Sequence, residues 1–303
     1  MIKDRIESFG RLQLLAKKIV QGYMSGLHSS PFNGFSVEFN EHRIYNQGES
    51  VKDVDWKLYA KTDKLYTKLY EEETNLRCHI LVDQSGSMLY PKRDKDNVSK
   101  LEYAIYAAAS LTEILRKQRD AFDVNLFSDE LNYHSGLGNT EKHQQVILNE
   151  LEKVLLDSEY SKVGDDTKLI RSLRTMGDYR SKRRLFVIFS DFLFLDKELD
   201  EWKSLLQELL FNGHDVILFN VFHPSEMQLE LDNKFYKLVD LESGEELKIH
   251  GKELNSKELF ADDKLKNDLK TEAGLRKMEW VDCDVSQDMN NMLRAFLNKR
   301  RKK

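Results

Sequence analysis

Two apolar patterns alternate along the chain from residue 76 onward. Short runs at 78–82, 122–127, 184–190 and 215–222 read as strands; the apolar run at 78–82 reads as buried on both faces, and 184–190 is the most continuously apolar. Between them, apolar residues recur at helical spacing. Leu101, Ala104, Ile105, Ala108, Leu111 and Leu115 form one stripe, opened by Ser99 and Glu102 at capping-box spacing. Ile147, Leu151, Val154 and Leu155 mark a helix over 141–156, and residues 197–211 another, stopped by Asn212-Gly213. The same reasoning predicts helices at 168–176, 256–272 and 286–298, an edge strand at 130–134 and a last strand at 277–283.

Residues 1–75 follow a different pattern. Ile6, Phe9, Leu12, Ile19 and Tyr23 predict a helix over 4–23, and 25–34 is a loop by composition. Residues 35–39 alternate apolar and polar positions like a half-buried strand, and 65–70 is a second candidate strand. The stretch between, 43–61, is densely charged yet carries Tyr45, Trp56 and Tyr59. Near the other end, 224–252 breaks the alternation. There, 235–240 and 246–250 flank Glu242-Ser243-Gly244 and predict an inserted β-hairpin.

These elements predict an α/β protein: a doubly wound, mainly parallel sheet of about six strands with helices on both faces. The expected organisation is a main domain over 76–303, with an N-terminal helix and β appendage over 1–75 packed on it. With 33% charged and 40% hydrophobic residues among 303, the chain is an ordinary globular protein. Its net charge of −5 argues against nucleic acid as the main partner. No apolar run approaches the ~18 residues of a membrane span. Residues 1–7 carry acids where a signal peptide has its apolar core, so the expected location is cytoplasmic. Cys78 and Cys283, both in predicted strands, read as reduced core thiols.

Candidate chemistry gathers where two apolar runs end. The first stops at Asp83, followed by Ser85 and Ser87; the other stops at Ser190-Asp191. In open α/β sheets ligands bind at the carboxyl ends of strands. If the two strands are neighbours, both aspartates share one rim. Thr167, after Gly164-Asp165-Asp166, would add a hydroxyl from a loop before a helix. Hard oxygens of this kind suit Mg²⁺ or Mn²⁺. Neutral hydroxyl ligands leave such an ion surplus positive charge, with which it could take a partner protein's carboxylate. Taken singly, the serines also fit turn residues, Thr167 a helix N-cap and Asp191 a loop acid. No nucleophile elbow or phosphate-binding loop is present, and His28, His79, His134, His214 and His223 lack metal-type spacing. The basic run 299–303 suits the end of a helix.

Asp83-Gln84-Ser85-Gly86-Ser87, with Thr167 and Asp191, resembles the metal-ion-dependent adhesion site of von Willebrand factor type A domains. Upstream, Arg43-Ile44-Tyr45, Gly48-Glu49 and Asp53-Val54-Asp55-Trp56-Lys57 resemble the signature of a prokaryotic family known as domain of unknown function 58, as does Ala60-Lys61-Thr62-Asp63-Lys64-Leu65-Tyr66. Glu49 stands where that family usually has Asp, and Lys52 and Lys61 where it usually has Arg. Charge is kept, but a bidentate Arg contact would not be. The resemblance implies a von Willebrand A-like fold and a partnership with MoxR-type AAA+ ATPases, as adaptor or chaperone component. The expected function is thus a non-enzymatic, metal-dependent interaction module. Arg43, Tyr45, Gly48, Asp53, Asp55 and Trp56 would form a partner surface or an internally paired structural segment. A metal-dependent hydrolase or phosphoryl-transfer enzyme on the same rim, or a structural domain with a vestigial site, are the alternatives.

Overall fold

The computed structural model describes residues 11–25, 41–44, 54, 56–69, 76–92, 97–128, 131–156, 184–193, 199–226, 234–239, 246–250, 261–276 and 278–301. The chain divides into two compact units, residues 27–75 and residues 1–26 with 76–303. Helix α1 (Arg11–Ser25) belongs to the larger unit. In the smaller one, β1 (Glu41–Ile44) pairs antiparallel with β2 (Tyr66–Leu69), and helix α2 (Trp56–Thr62) lies between them in sequence. The predicted strand at 35–39 and helix at 168–176 lie outside the described residues.

The larger unit is built on β3 (Arg77–Asp83). Helix α3 (Lys100–Lys117), β4 (Ala121–Phe127), β5 (Leu131–His134), α4 (Glu141–Leu156) and β6 (Arg184–Ser190) follow. Next come α5 (Leu199–Phe211), β7 (Asp215–Phe222), the hairpin β8 (Phe235–Val239) and β9 (Glu246–His250), α6 (Ala261–Leu275), β10 (Glu279–Asp284) and α7 (Asn290–Arg301). Six strands form one sheet in the order β10-β7-β6-β3-β4-β5, parallel except for the β4–β5 pair. The hairpin β8–β9 is a separate two-stranded sheet. The basic residues Lys299, Arg300 and Arg301 continue α7, so the stretch read as a helix end is the helix's last turn.

The strands read as doubly buried are so. Every residue of β6 is buried, and in β3 only Arg77 is not fully so. Leu81, Phe186, Ile188, Val216 and Leu218 cover one sheet face and pack with Leu205 and Leu209 of α5 and Leu269 and Ala273 of α6. On the opposite face α3 packs across β3 and β4, with α1 and α4 against it, and Tyr103 of α3 meets Cys283 of β10. Ser99 caps α3, its hydroxyl accepting the Glu102 amide at 3.1 Å. Helix α5 ends in a Schellman arrangement. Gly213 at φ +76° lets its amide reach Leu210 O (2.9 Å) and the His214 amide reach Leu209 O (3.0 Å).

Counted in chain order, the sheet runs 3-2-1-4-5-6, the doubly wound order. Its reversal falls between β3 and β6, where later connections depart to opposite sides and a crevice opens at the carboxyl ends.

Candidate functional site

Asp83 and Ser190 are the last residues of the two strands at that reversal, and Asp191 follows at once. Both aspartates are buried, at 0% and 1% exposure, so any charge they carry must find partners within the protein. Asp83 Oδ1 accepts the Ser85 amide at 2.8 Å, which turns the chain sharply after the strand. Its Oδ2 accepts the Ser190 hydroxyl at 2.5 Å, a bond that clamps the two strand ends together. Ser85 Oγ and Ser87 Oγ lie 3.1 Å apart, and Ser87 is close enough to Asp191 to favour its ionised form. Phe192 sits in the left-handed region at φ 57°, a conformation that costs a bulky residue energy. That turn brings the Phe192 amide to Ser190 Oγ (3.0 Å) and the Leu193 amide to Asp191 Oδ1 (3.3 Å), which fixes the second carboxylate.

A lysine completes the arrangement. Lys100, the first residue of α3, is wholly buried. Its ammonium donates to Asp191 Oδ2 at 2.8 Å and to Glu226 of the turn Pro224–Glu226. The other Glu226 oxygen accepts the His223 amide at 2.9 Å. Tyr90, beyond the Ser87 turn, ties the same elements together. Its carbonyl accepts the Lys100 amide at 2.9 Å, and its hydroxyl lies 2.7 Å from Ser225 Oγ. Ser225 Oγ in turn lies 2.6 Å from His223 Nδ1.

The two aspartates differ electrostatically. Burial, then the neighbouring charge of Asp191, pushes Asp83 up to about 7, against the hydrogen bonds from Ser190 and Ser85. Burial alone would raise Asp191 as well. The Lys100 charge and hydrogen bond, with help from Ser87 and the Leu193 amide, hold it below the usual carboxylate range. Lys100 is displaced upward: burial opposes its charge, and Asp191 and Glu226 overrule that.

The donor set fits a hard divalent cation. Asp83, Ser85, Ser87 and Asp191 bring two carboxylates and two hydroxyls together, all hard oxygens. Asp83, moreover, sits where burial and the charge of Asp191 disfavour its own negative charge. Among the described residues, no group of three or more His, Cys, Asp or Glu side chains is arranged to hold a metal. A metal here would therefore depend on the serine hydroxyls as well.

Of the residues singled out in the sequence, Asp83, Ser85, Ser87 and Asp191 converge, and Thr167 lies outside the described residues. So do Tyr45, Gly48, Asp53 and Asp55. Arg43 lies in β1, and Trp56 opens α2, its ring edge-on to Tyr59 with centroids 6.1 Å apart. Lys100 and Glu226 were not anticipated, and Ser190 was noted only as the residue before Asp191. The one available signal for Lys100 was its place right after the capping Ser99, where the helix dipole disfavours a cation.

A family model described as "Protein of unknown function DUF58" matches residues 41–269. Two curated relatives are "Uncharacterized protein Rv1480" of Mycobacterium tuberculosis and "Uncharacterized protein Mb1516" of Mycobacterium bovis. Each is 24% identical over 233 residues, covering 77% of this chain and 69% of the relative. Among solved structures, conserved hypothetical protein BatB from Bacteroides thetaiotaomicron aligns with 75% of this chain and 100% of its own, at 16% identity and TM-score 0.44. The PilB minor pilin from Streptococcus sanguinis aligns with 79% of this chain and 64% of its own, at 8% identity and TM-score 0.45.

Proposed function

The chain belongs to the DUF58 family, whose function is unknown, and on that premise we propose that it is a metal-dependent protein-interaction module. Mg²⁺ or Mn²⁺, held by Asp83, Ser85, Ser87 and Asp191 with Thr167, would supply a positive charge and an exchangeable position for a partner's carboxylate. The observation that carries this reading is the pair of buried aspartates at the β3–β6 reversal, of which one is pushed up to about 7 by burial and by the other's charge. With Asp83, Asp191 and Glu226 around the single Lys100 ammonium, acids outnumber bases here, and a dication would relieve the excess.

The chain's own residues then have separable tasks. Ser190 holds the two strand ends in register, and the Phe192 turn aims Asp191. Ser85 and Ser87 offer neutral oxygens that leave the ion's charge available to an anion. The partner proposed for that grip is a MoxR-type AAA+ ATPase or its client, as the family resemblance implies, in a cytoplasmic setting. No described helix is long and apolar enough to cross a membrane.

Titration calorimetry with Mg²⁺ on the full chain and on Asp83→Ala tests the site. The expected result is saturable heat in the wild type and none in the variant. Equal, negligible heats for both would overturn the metal reading. Hydrolysis of a generic phosphate or ester substrate that disappears in Asp83→Ala would replace the adaptor with the enzymatic alternative.

A further inference from the structure

Lys100 is not explained by the helix it opens or by the core it lies in. Ser99 already caps α3 through its hydroxyl. A cation at a helix N-terminus opposes the macrodipole, and a buried ammonium loses its hydration. Among the described residues, Asp191 and Glu226 meet both costs. These two partners differ. The Asp191 side chain is 2% exposed and belongs to the candidate metal site; that of Glu226 is 25% exposed and lies on the Pro224–Glu226 turn. The ammonium thus bridges one carboxylate inside the site and one at its edge.

We infer that Lys100 is a tethered cation that competes with the divalent ion for Asp191, with Glu226 as the seat it keeps when the ion binds. The inference rests on the metal reading proposed above and adds what sets the site's affinity. With no ion bound, the ammonium offsets the charge of Asp191 and lets two buried carboxylates lie side by side. When the ion arrives, Asp191 is shared or surrendered, and Glu226, already bonded to the ammonium, retains it. The strength of the Lys100–Glu226 bond therefore tunes metal uptake. The same movement is felt at the Tyr90 loop, because the Lys100 amide is held by Tyr90 O and the Tyr90 hydroxyl meets Ser225 beside Glu226.

A structural role and a competitor's role predict opposite signs. If Lys100 only orders Asp191, removing its charge loosens the site and weakens metal binding. If it competes, the neutral Lys100→Met variant binds Mg²⁺ more tightly, by about tenfold or more, as expected on removing a unit charge a few ångström from a dication. Its metal-free melting temperature falls while its Mg²⁺-induced rise grows. The experiment is calorimetry with Mg²⁺, repeated with Mn²⁺, on the full-length wild type, Lys100→Met and Glu226→Gln, with thermal unfolding by circular dichroism beside it. Glu226→Gln weakens the alternative seat, so it binds metal several-fold more weakly than the wild type. Wild-type binding with equal or weaker binding by a folded Lys100→Met overturns this inference and leaves the metal site standing. If Lys100→Met does not fold, Glu226→Gln decides: weaker binding supports the inference, and unchanged or tighter binding overturns it. Absence of Mg²⁺ and Mn²⁺ binding in all three proteins overturns the metal reading and this inference with it.

Discussion

His79 and Asp83 lie on the same face of β3, four residues apart and both buried, yet their surroundings make opposite demands. Around His79 the polar groups satisfy one another. Its Nδ1 lies 2.7 Å from Asp123 Oδ2, Asn125 Nδ2 donates to Asp123 Oδ1 at 2.6 Å and to Ile80 O at 3.3 Å, and His134 Nδ1 meets Asn125 Oδ1 at 2.5 Å. Arg184 Nη1 reaches His79 Nε2 at 3.4 Å, which fits the tautomer that donates from Nδ1. The His79, Asp123, Asn125 and His134 side chains pair with one another across β3, β4 and β5. Around Asp83 the one ammonium, that of Lys100, pairs with Asp191 and Glu226 and leaves Asp83 to hydroxyl and amide donors. Equal depth in one sheet therefore does not imply equal function. A cluster paired within itself specifies the packing of the strands, whereas one short of positive charge is a candidate site for a ligand.

The sharpest way to break the comparison is to damage the closed cluster. Asp123→Ala removes the acceptor of both His79 and Asn125 and leaves their donors buried. The expected cost is about 3 kcal/mol of stability, read from the denaturation midpoint. Mg²⁺ binding by the folded variant should stay at the wild-type level. A loss of binding equal to that of Asp83→Ala would show that the two clusters act as one.

Asp83 should behave in the opposite sense. A carboxyl raised from 3.8 to about 7 on folding stabilises the fold while protonated, and that contribution is lost as pH climbs between those values. Without metal, the wild type should therefore lose stability as pH rises from about 4 to 7 at this group. Asp83→Asn carries no such charge and should be more stable than the wild type at pH 8 by about 1 kcal/mol, part of the gain being lost with one acceptor oxygen. Saturating Mg²⁺ should restore the wild type and leave the variant unmoved. Denaturant titrations at several pH values, with and without Mg²⁺, check all three statements.

What could be read from the sequence follows the range of each interaction. β3 and β6 were legible because burial on both faces leaves unbroken apolar runs, and the end of α5 because Gly213 is the residue a left-handed stop favours. Helix α2 was not: none of its seven residues is buried, so it carries no apolar stripe. Asp83, Ser85, Ser87 and Asp191 stood out because each sits at or just past the end of an apolar run. Lys100 did not, since a lysine at the start of a helix reads as solvated. Its burial is decided by Asp191 and Glu226, which lie 91 and 126 residues further along the chain.

A carboxylate at the sheet edge calibrates the difference. Asp282 of β10 is 43% exposed and bonded to Lys270 (2.8 Å), Asn220 (3.0 Å) and the Trp280 indole (2.8 Å). Partial burial would raise it, but the Lys270, Asn220 and Trp280 hydrogen bonds outweigh that and leave it below its ordinary value of 3.8. A lowered folded-state pKa contributes stability above the unfolded value and loses it as pH falls through the folded one, the reverse of the Asp83 slope. Solvent and salt screen a group this exposed, so Asp282→Asn should cost only ~0.5 kcal/mol at pH 7. That cost should shrink between pH 7 and about pH 2 as the wild-type carboxyl takes up its proton. Urea midpoints of wild type and variant at both pH values test this, and an equal deficit at the two would assign the effect to packing against Trp280 rather than to charge.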